Sequence, residues 1–80
     1  MRLDKWLKVS RLIKRRTVAQ EACDGGRVSV NGAVAKPSRD VKVGDVIEVS
    51  FGTKTLRAEI LSVQETVRKD DAAAMYKEVL

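Results

Sequence analysis

Apolar and polar positions alternate at helical spacing over the first ten residues. Leu3, Trp6, Leu7 and Ser10 fall at i, i+3, i+4 and i+7, which predicts a short helix with one buried stripe. Asp4, Lys8 and Arg11 repeat that spacing on another face, predicted to be charged. Thr17-Val18-Ala19-Gln20 has the form of a capping box, in which Thr accepts from the third residue's amide and Gln reaches back. A second helix is therefore predicted from Thr17, with Val18, Ala19, Ala22 and Cys23 as its apolar stripe and Gly25-Gly26 closing it.

Beyond Gly26 the period drops to two. Val28 and Val30 alternate with Arg27 and Ser29, and Asn31-Gly32 is a strong hairpin signal before Ala33-Val34-Ala35. Lys36-Pro37-Ser38 breaks the pairing and Val43-Gly44-Asp45 turns the chain. Val46, Ile47, Val49 and Phe51 predict one strand, and Leu56, Ala58, Ile60 and Val63 another after Gly52-Thr53-Lys54. The tail from Asp70 to Leu80 reads as a helix, with Asp70 or Asp71 as N-cap and Met75, Tyr76 and Val79 as its packing face. The expected class is α+β: two N-terminal helices on a small curled antiparallel sheet over residues 1–65, with a C-terminal helical extension over 66–80.

Charge changes this picture most. The net charge is +5 over 80 residues. Residues 1–20 hold seven cations (Arg2, Lys5, Lys8, Arg11, Lys14, Arg15, Arg16) and one anion, Asp4, leaving the other sixty nearly neutral. Such clustering is the footprint of a polyanion partner. Lys14-Arg15-Arg16 stands just before Thr17, at the end of a helix where the dipole disfavours cations. Cations and orphan N–H groups converging there make a phosphate site. The expected RNA-contacting set is Arg2, Asp4, Lys5, Lys8, Arg11, Lys14, Arg15, Arg16 and Thr17. Asp4 either braces Arg16 or Arg11 or meets a base or ribose itself. Arg16 is expected to face the anion site, so that its removal leaves stability nearly unchanged. Trp6 shares the Leu3-Leu7 stripe and is expected in the core rather than as a stacking platform.

Catalysis finds little support. The chain has no histidine, one cysteine (Cys23) and no glycine-rich phosphate loop. No catalytic residue, metal or cofactor is expected, nor any membrane span. Cysteine usage fits a reducing cytoplasm.

Arg2-Leu3-Asp4-Lys5-Trp6-Leu7, Lys14-Arg15-Arg16-Thr17, Gly26-Arg27-Val28-Ser29-Val30-Asn31-Gly32, Lys36-Pro37-Ser38 and Gly44-Asp45-Val46-Ile47 together resemble the S4 RNA-binding domain over residues 1–50. The family often has Lys-Ser-Arg where this chain has Lys14-Arg15-Arg16. With Lys8 to Thr17 and Ala73-Ala74-Met75-Tyr76 added, the chain resembles the stand-alone RqcP (YabO-type) family of bacterial ribosome-associated quality control. That resemblance implies a cytoplasmic, ribosome-associated, monomeric RNA-binding factor. Its partners would be the large ribosomal subunit, large-subunit rRNA, P-site peptidyl-tRNA and the alanine-tailing factor RqcH. It also implies that Arg2, Asp4 and Arg16 matter most. The alternatives are a heat-shock S4 protein recycling stalled large subunits, an accessory domain of an RNA-modifying enzyme, or a protein-interaction module using the Met75-Tyr76-Val79 face. The Met1 start on the motif favours a stand-alone protein over the accessory domain.

Overall fold

Leu3–Val9 forms helix α1, and its stripe behaves as the spacing predicts: Leu3, Trp6 and Leu7 are fully buried, with Ser10 closing the turn beneath them. The computed structural model describes residues 1–65 and 67–79. The Trp6 indole Nε1 donates to the Ser62 carbonyl at 2.9 Å, and its ring meets Tyr76 edge-on at 6.3 Å. Trp6 is thus a core residue with its one polar atom satisfied.

The first amides of α1 lack intrahelical partners. Leu3 N–H donates to Arg39 O at 2.8 Å and Asp4 N–H to Pro37 O at 3.1 Å. The 36–41 loop, read from sequence only as a break, therefore caps α1 and fixes where Arg2 and Asp4 stand.

Helix α2 runs Arg16–Asp24. The capping box does not form: Arg15 holds the N-cap position without a side-chain cap, and Thr17 lies exposed inside the helix. Gln20 instead turns its side-chain amide to α1, donating Nε2 to the Asp4 carboxylate. Ala19, Ala22 and Cys23 are buried as expected, but Val18 is 45% exposed. At the far end Gly26 takes φ +75°, Gly26 N–H bonds Cys23 O and Arg27 N–H bonds Ala22 O. This double closure is the Schellman pattern. Burial, with the charges of Asp4 and Asp24, pushes the Cys23 thiol up to about 11, so it stays a small apolar filler.

Five antiparallel strands follow: β1 Val28–Val30, β2 Ala33–Val34, β3 Val46–Phe51, β4 Lys54–Ile60 and β5 Tyr76–Glu78, in spatial order β2-β1-β3-β4-β5. Asn31 (φ 51°) and Gly32 (φ 86°) make the β1–β2 turn, both in the left-handed region that a tight hairpin needs. Asn31 does more than turn the chain, since its side chain accepts from Val46 N–H at 2.9 Å and donates to buried Asp45 at 3.1 Å. Val28, Val30, Ile47, Val49 and Ile60 point inward beneath the helices. β4 ends at Ile60, so Val63 lies outside it.

The expected short C-terminal helix is present but ends at Met75. Lys69–Met75 is a 3-10 helix with Arg68, not Asp70 or Asp71, at its N-cap position. Tyr76–Glu78 is then a strand, with Tyr76 opposite Ile60 and Glu78 opposite Ala58. Alanine-rich propensity over so short a stretch is weak, while the open edge of β4 offers unpaired backbone groups. Met75 is buried and its carbonyl accepts from Leu61 N–H and Ser62 N–H. The 66–80 segment thus supplies an edge strand to the same sheet, with Thr66 and Leu80 outside the described residues.

Leu7 has no exposed surface. Leu7→Ala is expected to cost about 2–5 kcal/mol in urea unfolding, and a loss below about 1 kcal/mol would show that α1 does not anchor the core.

Candidate nucleic-acid interface

Asp4 lies on the first turn of α1, about 60° around the helix from Leu7 at roughly 100° per residue. That puts it at the edge of the apolar stripe, and it is fully buried. The exposed charged face expected for Asp4, Lys8 and Arg11 is therefore not formed. Packing α2 against α1 brings Arg16 and Gln20, four residues apart on one helical face, onto this carboxylate.

Six hydrogen bonds converge on it. Oδ1 accepts from Lys5 N–H (2.8 Å), Arg2 Nε (3.2 Å) and Arg16 Nη2 (3.5 Å). Oδ2 accepts from Gln20 Nε2 (2.9 Å), Arg16 Nε (3.2 Å) and Arg2 Nη2 (3.3 Å). Burial alone would push the carboxyl up, but the hydrogen bonds from Gln20, Arg16 and Lys5, with the Arg16 charge, hold it below the ordinary carboxylate range.

The two arginine side chains are 51% and 43% exposed, so each rests one edge on Asp4 and turns the rest outward. One anion thereby holds two cations side by side at the surface, leaving a net positive charge there. Arg16 is also the first residue of α2, where the Arg16, Thr17 and Val18 amides lack intrahelical acceptors. Guanidinium edges and helix-end amides share one locality, a combination suited to phosphate oxygens.

The other expected residues fall into two groups. Arg15 and Thr17 are exposed at the start of α2. Lys8, Arg11 and Lys14 line a groove of about 470 Å³ together with Val9, Glu65, Val67 and Lys69. Lys5 turns away and pairs with Glu65. Among the described residues, Lys8, Arg11, Lys14 and Arg15 pair with no carboxylate. Elsewhere Arg57 is matched to Glu48 and Lys77 to Glu59, while others, such as Lys36 and Lys54, also pair with no carboxylate among the described residues. The described residues hold no cluster of His, Cys, Asp or Glu able to bind a metal ion, and no helix long and apolar enough to cross a membrane.

Sequence reasoning missed Gln20, whose local pattern imitated a capping box, and Glu65, Val67 and Lys69, which reach α1 only through tertiary structure. Of the two arginines expected as partners for Asp4, the structure seats Arg16 on it, and those two bonds to a buried anion mean that its removal is not neutral for stability.

The family model of the S4 domain matches residues 1–47. The chain belongs to the S4 domain family. The S4 match contains both arginines, Asp4 and Gln20, and ends within β3. Among similar S4 proteins, the "RQC P-site tRNA stabilizing factor" of Streptococcus pneumoniae is 56% identical over 77 residues, covering 96% of this chain and 88% of that protein. The "Heat shock protein 15 homolog" of Aeromonas salmonicida is 35% identical, covering 98% of this chain and 59% of that protein. The trimeric structure of Vibrio cholerae Heat Shock Protein 15 superposes with a TM-score of 0.92 at 35% identity, covering 99% of this chain and 81% of that one.

The pH dependence of stability should expose the buried carboxylate. A group whose folded pKa is depressed stabilises above its unfolded value of about 3.9. That contribution is lost as pH falls through the lower folded value. Asp4→Asn is expected to cost about 2 kcal/mol near neutral pH. In urea unfolding from about pH 7 down to about pH 2, the gap from wild type should close below about pH 4. A gap constant across that range would mean that Asp4 is not held ionised by its neighbours.

Proposed function

We infer that this chain is a non-catalytic RNA-binding factor of ribosome-associated quality control. It engages large-subunit rRNA and the P-site peptidyl-tRNA on obstructed large ribosomal subunits, and so supports alanine tailing of the stalled chain by an RqcH-type factor. The observation that carries this reading is the pair of arginines braced on buried Asp4 beside the amides of α2. The name of the streptococcal relative supplies the ribosomal setting. Arg2 and Arg16 are the phosphate-gripping residues, and Asp4 and Gln20 position them. Arg15 and Thr17 lie at the same helix start, and Lys5, Lys8, Arg11 and Lys14 extend the cationic surface. The site acts as a cytoplasmic monomer on the ribosome.

The heat-shock alternative draws on the close superposition with the Vibrio protein, whose sequence is 35% identical. The higher identity of the streptococcal relative, 56%, favours the quality-control reading. The two separate in cells, because only the quality-control factor's deletion should abolish alanine tails on stalled chains.

Two binding measurements test the RNA contact. Affinity for structured RNA should fall steeply with salt, with log K against log salt sloping about −3 to −5 for roughly four to six neutralised phosphates. A flat response would remove the electrostatic basis of the site. Arg16→Ala should lose co-sedimentation with large subunits. Because Arg16 bonds Asp4, this variant should also lose about 1 kcal/mol of stability, with Arg2, Gln20 and Lys5 N–H still holding the carboxylate. Full co-sedimentation of the variant at a temperature where it is folded would place the phosphate grip elsewhere.

A further inference from the structure

The groove beyond the arginine pair has walls from opposite ends of the sequence. One wall is the end of α1 and the turn after it, carrying Lys8, Val9, Arg11 and Lys14. The other carries Glu65, Val67 and Lys69, which lie beyond the S4 match. Its single anion, Glu65, is taken up by Lys5, a cation outside the lining. Four lining cations remain, and among the described residues none of them pairs with a carboxylate.

Two of the lining residues are apolar. Val9 and Val67 are partly buried and pack against the hydrophobic core. The volume of about 470 Å³ falls within the range of ligand clefts, roughly 300–1,000 Å³. Arg11 takes φ +63°, a left-handed conformation that L side chains rarely adopt. The chain therefore keeps a cation at a position where glycine would be unstrained.

We propose that this groove is a second RNA site, built jointly by α1 and the tail, and that its ligand is an unpaired RNA strand. A base-paired helix keeps its bases stacked and paired, and so offers the groove mainly its backbone. A single strand bends and splays its bases, so its backbone can follow the four cations while a nucleoside face rests on Val9 and Val67. No aromatic side chain lines the groove, so it selects little among bases and holds mainly by phosphate contact. The proposal rests on the RNA-binding reading above and adds to it a discrimination between unpaired and paired RNA.

The test compares two fluorescein-labelled probes, a short oligouridine strand and a fully paired RNA hairpin closed by a minimal loop. Lys69→Glu, an exposed substitution, should weaken oligouridine binding at least about fivefold and hairpin binding less than about twofold. Lys54→Glu makes the same charge change on the β3–β4 hairpin, outside the groove, and should leave both probes within about twofold. Methyl resonances of Val9 and Val67 should shift on adding oligouridine and stay in place with the hairpin. If Lys54→Glu weakens oligouridine as much as Lys69→Glu, the effect is bulk charge and the groove is not a site. If Arg16→Ala weakens both probes while Lys69→Glu weakens neither, the groove proposal fails and the arginine site stands. If wild-type protein binds neither probe, the RNA reading itself fails.

Discussion

A single buried carboxylate organises the basic end of this molecule. Asp4 joins the first turn of α1 to the first turns of α2 through Arg16 and Gln20, and gathers Arg2 from just before α1. An unpaired charge without solvent contact would be costly. Here six donors surround it, so the cost becomes a constraint on direction. Two guanidinium groups that would otherwise repel are held side by side, with parts of each exposed. The 36–41 loop fixes the start of α1, and the core beneath Leu3, Trp6 and Leu7 fixes its tilt.

Preorganisation of this kind matters for a charged ligand. Long side chains lose rotamer freedom when they bind, at about 0.5–1.5 kcal/mol each. Arginines already seated on Asp4 have lost part of that freedom during folding. Lys8, Arg11 and Lys14 have no such anchor. In the proposed interface they would add long-range attraction and contact along the groove, and so be more sensitive to salt.

What could be read from the sequence follows how local each interaction is. The α1 stripe and the Asn31-Gly32 hairpin were legible because their determinants lie within a turn or two of one another. The positive φ values at Asn31 and Gly32 are what that dipeptide is suited to adopt. The Asp4 network was legible in part: a lone acid among bases suggests a brace for Arg16 or Arg11, but its burial and its bonds to Arg2 and Gln20 depend on how α1 and α2 pack. Gln20 was misread because its spacing from Thr17 satisfies a local motif, whereas its side-chain amide donates to a buried carboxylate in another helix. The tail was legible in its first half, where Lys69–Met75 is helical, and not in its second. Its alanines favour a helix locally, but the open edge of β4 takes Tyr76–Glu78 as a strand. Lys69 carried no signal at all until the fold set it across from Lys8.

The most direct test of the bracing account is the RNA affinity of Asp4→Asn, measured where melting curves show the variant fully folded. Removing an anion from a cationic surface raises the local positive charge, and simple electrostatics calls for tighter binding. If Asp4 acts by fixing Arg2 and Arg16, the variant should bind structured RNA more weakly, by about tenfold or more, despite its extra positive charge. Unchanged or tighter binding would contradict the claim that the buried carboxylate directs the arginines.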